Sequence, residues 1–411
     1  MQSFPSLLTI LCVYVSELVF EMRGLTSQSS PFTMNRVSAE ICDFRVGQPS
    51  QKLIPKMLLD NAFIDTITRN SDPYIYQYPT ASGPLCVRSK FASYLSAHPA
   101  YSESLDSSSM MLTYGNSHAI ALILRTFTKH GDPVIVEDPT YFLVGKMLQD
   151  ARVCVHPCPV DSRTGIEMDA FEELLIHTSP TLVYLNPIHH NPTGTSLSIE
   201  KQNRLRFLSL KHGFKILSDE PYVLLDWSEV PVCSMHTGDE LSANVLACGT
   251  FSKLLAPGLR CGWIHASPDL ISSLSADGVL DSGGGPPSLV VQTVADLVTS
   301  GAFEQNRIHT VKQLRRQCEQ MTQCIDAAPT LRSRVTYFAS TGGYFVYLQF
   351  EDSLFDVHAF HAFACKHFKV RFLVMSTGIR LSFAFYDTEE IALGIERLDH
   401  ALEAYTSQRV A

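Results

Sequence analysis

No block of basic residues appears anywhere in this chain: over 411 residues its net charge is −9, with 18% of positions charged. A surface of that sign gathers neither nucleic-acid phosphates nor anionic lipid, so no nucleic-acid partner and no stable membrane association are expected. A membrane span is also missing. The apolar run Leu7 to Phe20 falls short of the roughly twenty residues that cross a bilayer, contains Glu17, and has no lysine or arginine ahead of Arg23, where a signal peptide carries its charge first. Residues 1–40 are read as an N-terminal extension and the protein as cytoplasmic; an organellar or secreted location is the alternative should the apolar run act as a leader. A disulfide framework is equally absent, because the eleven cysteines are scattered and odd in number, as in a reducing compartment. No metal site is expected. Cys154, His156 and Cys158 lie in one apparent strand without a second ligand pair, and His358, His361, Cys365 and His367 spread along an ordinary amphipathic helix. The sequence has no internal repeat and no low-complexity tract.

What it does hold is apolar surface and a regular order of elements. At 45% hydrophobic residues, a chain of this length buries a large core and is expected to divide into more than one domain. Strands ending near Thr113, Glu137, Asn186, Ser218 and Phe251 alternate with helical stretches, which predicts an α/β fold built on a large, doubly covered, mainly parallel sheet. The expected division is a large domain over residues 71–302 and a smaller α+β domain assembled from 41–70 and 303–411. In the smaller one Phe345 to Phe350 and Arg380 to Phe385 read as strands, and Leu354 to Phe368 and Glu389 to Tyr405 as helices. Asp281 to Pro287 reads as a flexible turn near the hinge.

Ligands of open α/β sheets sit at the C-terminal ends of the strands, and the candidate residues fall there. Lys253, within Gly249-Thr250-Phe251-Ser252-Lys253-Leu254-Leu255-Ala256-Pro257-Gly258-Leu259-Arg260, follows a short apolar strand, so its ammonium loses water. Burial and a nearby cation such as Arg260 both depress a lysine pKa and yield the neutral amine that condenses with a carbonyl. The plain alternative is a strand-end lysine reaching solvent. Asp219 closes the strand from Phe214; beside a pyridine nitrogen it would keep the proton there and make the ring a better electron sink, while Tyr222 can reach a ring hydroxyl. Asn191 sits in the rigid turn Asn191-Pro192-Thr193-Gly194, able to donate to a ligand oxygen. Met111 to Tyr114 runs into Gly115-Asn116-Ser117-His118, a strand–turn–helix start whose free amides and dipole suit phosphate, although a side-chain cap by Asn116 or Ser117 would look the same. Tyr141 follows another strand end and either stacks on a ring or packs. Arg380, among apolar neighbours, must find an anion, and its planar fork suits a carboxylate of a substrate or of the protein itself.

In this order, each at a strand end, these segments resemble the class I/II aminotransferases, the fold-type-I pyridoxal phosphate enzymes, from Phe44-Arg45-Val46-Gly47-Gln48-Pro49 to Arg380-Leu381-Ser382-Phe383. The likeness is strongest to the branch containing 2-aminoadipate and kynurenine aminotransferases. It implies pyridoxal 5′-phosphate as cofactor, with Lys253 bonded to its aldehyde, Asp219 on the pyridine nitrogen, Asn191 and Tyr222 on the ring hydroxyl, and Tyr141 on the ring face. Ser117, His118, Ser252 and Arg260 would hold the phosphate, with Thr250 beside them where serine is more usual. Tyr78 matches the tyrosine that reaches the phosphate of the neighbouring subunit, which implies a homodimer. Arg380 matches the arginine that receives the substrate α-carboxylate, and Gly47 lies in the loop that closes over it. The pair His189-His190 departs from the commonest pattern of the family.

The implied reaction is transamination between an amino acid and a 2-oxo acid, with Lys253, Asp219 and Tyr222 catalytic and with aromatic or long aliphatic substrates favoured by analogy alone. A carbon–sulfur β-lyase shares the fold and most of these residues and differs in needing a leaving group on Cβ. An amino-acid-sensing regulator on the same fold is the more remote alternative, because the residues ahead of Phe44 lack a basic helix-turn-helix pattern. Donor and acceptor stay open here, since a side-chain pocket is assembled by folding and not by spacing.

Overall fold

The computed structural model describes residues 40–410, apart from 102–104 and 377; the reading of residues 1–39 as an extension lies outside the described residues. A short strand, Cys42–Asp43 (β1), opens the described chain. Met110–Thr113 (β2), Pro133–Asp138 (β3), Cys154–Asp161 (β4), Gly165–Ile166 (β5), Leu182–Leu185 (β6), Lys215–Asp219 (β7), Val245–Thr250 (β8) and Gly262–Ala266 (β9) form one eight-stranded sheet in the order β2-β9-β8-β7-β6-β3-β4-β5. Strands β8, β7, β6, β3 and β4 run parallel; β9 is antiparallel to both β8 and β2, and β5 to β4.

The side-chain pattern explains the pairing. In β6, β7 and β8 every residue but Lys215 is buried, and alternate residues leave by opposite faces. Leu182, Tyr184, Leu217 and Leu246 join one apolar cluster, while Val183, Leu185, Ile216 and Val245 join another on the far side. A strand apolar on both faces requires helices on both, the setting of parallel sheets. Asn116–Phe127 buries Ala119, Ile120, Leu122 and Ile123 against the first face. Ile199–His212 buries Leu205 and Leu208 against the second; Ser198 caps it by accepting from the Lys201 amide, and Gly213 ends it in the left-handed region at φ 79°.

Val335–Thr336 (β10), Phe345–Phe350 (β11), Leu373–Val374 (β13) and Gly378–Ser382 (β14) make a four-stranded antiparallel sheet, and Val370–Arg371 (β12) pairs with β1. The expected strand Arg380 to Phe385 begins two residues earlier and stops at Ser382, because its partner β11 begins at Phe345, opposite Ser382. The helix expected from Leu354 starts at Val357, where Asp356 caps it by accepting from the Ala359 amide. The turn from Asp281 is pinned rather than flexible: the Tyr114 hydroxyl donates to the carbonyls of Gly284 and Gly285 at 2.6 and 2.8 Å. Among the described residues no helix is long and apolar enough to cross a membrane.

Candidate active site

The ends of β2, β6, β7 and β8 bring their following residues to one edge of the large sheet. Lys253 lies in the connection from β8 to β9, which is tied at its base by the Phe251 amide donating to Cys261 O at 3.0 Å. That connection is tight because Gly249 lacks a side chain: a Cβ there would lie 2.1 Å from the Trp263 ring. Lys253 is half-buried, its Nζ donating to Gly47 O at 2.8 Å and lying 5.4 Å from the centre of the Tyr344 ring. The Tyr344 hydroxyl in turn donates to the Lys253 carbonyl at 2.8 Å. Burial lowers the Lys253 amine to about 8, with the Arg380 and Arg260 charges assisting and Asp219 opposing. Half of the amine is then neutral at pH 8, against roughly 0.3% for a lysine of ordinary pKa. The solvent-reaching alternative for Lys253 is set aside by these contacts.

Asp219 is held from two sides, accepting from Asn116 Nδ2 at 2.6 Å and from the Tyr184 hydroxyl at 2.8 Å. Burial raises its carboxyl above the usual range, with those two bonds and the Lys253 charge pulling it back. Neither donor was singled out as a partner of Asp219 from sequence, although a tyrosine inside an apolar strand demands a partner for its hydroxyl. Asn116 does not cap its own helix; Gly115 takes that position at φ 83°, and no side chain caps the helix. The first amides of the helix therefore remain for another acceptor.

Beside that helix start lies a cradle of donors. A Cβ on Gly115 would sit 3.0 Å from Arg260 Nη2 and 3.4 Å from Thr250 Oγ1. Thr250 Oγ1 donates to Ser252 Oγ at 2.9 Å, and Arg260 Nη1 reaches Ser252 Oγ at 3.4 Å. Ser117 is exposed at this rim. His118 brings no charge to it: its ring stacks edge-on against Tyr114 at 4.5 Å, and burial lowers the imidazole to about 4. The cradle thus offers one guanidinium, hydroxyls and amides, a donor set that fits a phosphate.

Arg380 enters from β14 and is buried, with 1% of its surface exposed. Nη1 donates to Asn191 Oδ1 at 2.8 Å and Nη2 to Arg45 O at 2.5 Å, while Nε has no hydrogen-bond partner among the described residues. The guanidinium stands 4.1 Å over the Phe345 ring. Among the described residues no carboxylate forms an ion pair with it, so the internal carboxylate partner weighed for Arg380 is not found in contact with it. Because a guanidinium only donates, the Asn191 atom facing it is the amide oxygen, and the Asn191 NH2 is free to be a donor. Gly47 belongs at this point: a Cβ on it would lie 3.1 Å from the Phe345 ring and 3.9 Å from Arg380 Nη2.

Tyr222 is buried between the rings of Tyr344 and Phe345, 5.3 and 5.8 Å away, and burial holds its hydroxyl above the ordinary range. Tyr141 is half-buried beside Phe142, its hydroxyl likewise raised by burial with Asp219 assisting. Tyr78 is 81% exposed, with Gly283 packed on its ring. Asn186 joins the groups from below, donating its side-chain amide to Asp219 O and accepting from the Asn191 amide at 2.6 Å.

The family described as aminotransferase class I and II matches residues 39–398. The chain is 27% identical over 378 residues to a 2-aminoadipate transaminase of Thermus thermophilus, covering 88% of this chain and 90% of that one. It is 24% identical over 376 residues to an uncharacterized HTH-type transcriptional regulator of Bacillus subtilis, YdfD, covering 90% of this chain and 76% of the regulator. The crystal structure of a Pyrococcus horikoshii kynurenine aminotransferase, in complex with PMP, superposes with a TM-score of 0.81 at 24% identity over 94% of both chains. From residue 39 to residue 398, on sequence and on the arrangement of its sheet, the chain belongs to the class I and II aminotransferases.

Proposed function

We propose that this aminotransferase carries pyridoxal 5′-phosphate on Lys253 and moves the amino group of an L-amino acid, aromatic or long aliphatic, to a 2-oxo acid. The observation that carries the reading is the meeting of a lysine held near pH 8 with a buried arginine that has no ion-paired carboxylate among the described residues, both against Gly47. Thr250, Ser252, Arg260, Ser117 and the amides after Gly115 would hold the phosphate, and Asp219, Asn191, Tyr222 and Tyr141 the ring. His118 would serve through its position in the helix start and not through charge. The cofactor supplies, when bound, an aldehyde and an electron-accepting ring.

The protein's own groups do the rest. Arg380 takes the α-carboxylate of the donor in a two-pronged grip, which fixes the Cα–H direction. Lys253, once freed, accepts the Cα proton at Nζ; an amine titrating near the working pH is suited to take that proton and return it. Asp219, fixed by Asn116 and Tyr184, keeps a positive charge at the ring nitrogen. The rings of Tyr222, Tyr344 and Phe345 exclude water, which strengthens each of these charge contacts.

Two features support the substrate class. Arg45, the cation nearest the Gly47 loop in sequence, is locked to Asp43 through Nε and Nη2 at 2.8 and 2.7 Å, so it is not free to take a second carboxylate. The surroundings of Arg380 are instead aromatic, with Phe142 and Phe345 over its guanidinium. Such walls favour an apolar side chain over a second carboxylate beside this arginine. The division into 71–302 and 41–70 with 303–411 is part of the same reading: the large sheet draws its strands from the former range and the small sheets from the latter. A homodimer is supported by exposed Met57, Ile64 and Ile67 on helix Lys56–Arg69 and by exposed Tyr74, Tyr76 and Tyr78 just after it.

The test is a donor panel assayed for 2-oxo acid, ammonia and the amine form of the cofactor. Transamination gives oxo acid and the amine form without ammonia, fastest with aromatic or long aliphatic donors. Pyruvate with ammonia from cysteine conjugates replaces it with the β-lyase; cofactor binding without any turnover points to a sensor.

A further inference from the structure

The Asn191 turn carries two adjacent buried histidines that the proposed chemistry does not use. His189 has φ 47°, in the left-handed region, and this turns successive side chains to opposite sides. Its Nε2 lies 3.1 Å from Asp226 Oδ1, and its amide and Nδ1 meet Ser196 Oγ at 3.0 and 3.3 Å. Gly342 and Gly343 close over the ring; a Cβ on Gly342 would lie 2.0 Å from Nε2. These glycines lead into β11, the strand that pairs Tyr347 with Arg380.

His190 faces the large sheet. Its Nδ1 meets Thr193 Oγ1 at 2.8 Å, and its buried Nε2, without a hydrogen-bond partner among the described residues, lies 3.5 Å from Glu137 Oε2 as its nearest carboxyl oxygen in ion-pair range. The same Glu137 oxygen accepts from the Asn186 amide at 2.6 Å, and the turn closes through His190 N to Thr195 O at 2.7 Å and Gly194 N to His190 O at 2.6 Å. Burial raises the Glu137 carboxyl to about 8 and lowers His190 to about 3, so near neutral pH the contact joins an acid and an imidazole that are both uncharged.

We propose that His190 and His189 are positioning residues that clamp the Asn191 turn between Glu137 of the large sheet and Asp226 beside the small sheet, and so hold the Asn191 amide in register with Arg380. Asn191 Oδ1 is one of the two oxygens that orient the Arg380 guanidinium. A clamp on that turn therefore governs grip on the substrate carboxylate more than grip on the cofactor, whose phosphate cradle lies on other segments. The inference rests on the proposed reading for what Arg380 binds.

The test compares His190→Ala, Asn191→Ala and the double variant, each loaded with pyridoxal 5′-phosphate. His190→Ala is expected to raise KM for the amino donor about tenfold, with cofactor affinity, read by fluorescence titration, changed less than threefold. His190→Gln, whose amide can still donate toward Glu137, restores KM to within about threefold of wild type. In the double variant the KM effect of His190→Ala largely disappears, since Asn191 is what it acts through. Additive KM effects, or a loss of cofactor affinity as large as the rise in KM, overturn the clamp. Should His190→Ala fail to fold, His190→Leu, which fills the site but offers no donor toward Glu137, takes its place in the cycle with the same requirement of non-additivity. Wild-type protein that turns over no amino acid refutes the proposed function instead, so the two failures are told apart.

Discussion

Replacing Arg380 by alanine removes a cation that has two neutral oxygens as hydrogen-bond partners and, among the described residues, no carboxylate in ion-pair contact. Its geometry allows a bidentate grip on a substrate carboxylate, and two charge-assisted hydrogen bonds at the modest end of their range sum to about 3 kcal/mol. At 1.36 kcal/mol per decade, kcat/KM falls by roughly 150-fold. A second signature follows from the same position. After burial, the Arg380 charge is the foremost influence lowering the Lys253 amine, so the variant's Lys253 midpoint moves up from about 8 toward an ordinary lysine. Asn191 Oδ1 and Arg45 O lose their donor, at a cost of about 1–3 kcal/mol each if they stay dry, offset in part by lifting a buried charge, so a melting curve must accompany the kinetics. The control substrate is an amine of the same side chain without the carboxylate, on which the variant loses only what the upward shift of Lys253 takes and not the loss of the carboxylate grip. A folded variant within threefold of wild type on the amino acid, or an equal loss on both substrates, refutes the reasoning.

Gly115→Ala places a methyl group against Arg260 Nη2 at φ 83°; strain of about 1–2 kcal/mol and a filled cradle should weaken pyridoxal phosphate binding by tenfold or more in equilibrium dialysis, while Gly131→Ala, also at positive φ but with no atom within 4 Å, costs only stability. Because the folded Lys253 is depressed to about 8, its neutral fraction grows as pH rises: cofactor uptake by the stripped protein should accelerate about tenfold per pH unit below 8 and level off above it, measured by stopped-flow absorbance. Met57→Asp with Ile64→Asp should convert a dimer to a monomer in sedimentation and reduce cofactor affinity if Tyr78 completes the partner's phosphate site; unchanged sedimentation would remove that face from the interface.

Much of the large sheet was legible because burial on both faces leaves a short apolar run with a polar residue at its end: Leu182 to Asn186 is of that kind, and Ile216 and Leu217 lead the same way into Ser218 and Asp219. Strand β9 was not, since Gly262-Trp263-Ile264-His265-Ala266 mixes a glycine, a histidine and a bulky ring, and its antiparallel direction follows only from the short Lys253 connection. Lys253, Asp219, Asn191 and Arg380 were readable as single groups at strand ends. What holds them was not. Asn116 and Tyr184 reach Asp219 across 103 and 35 residues of sequence, and Asn191 meets Arg380 across 189, distances at which spacing carries no signal. The ends of β14 and of helix Val357–Phe368 were displaced for local reasons, a partner strand that starts late and the Asp356 cap.

The central claim, that Lys253 is the residue to which the cofactor is bonded, is tested most directly by loading the protein with pyridoxal 5′-phosphate, reducing with borohydride and mapping the label by peptide mass spectrometry. The account predicts a single phosphopyridoxyl label on the peptide holding Lys253, lost in Lys253→Ala. A label on another lysine, or a folded protein that takes up the cofactor and gains no label, would contradict it.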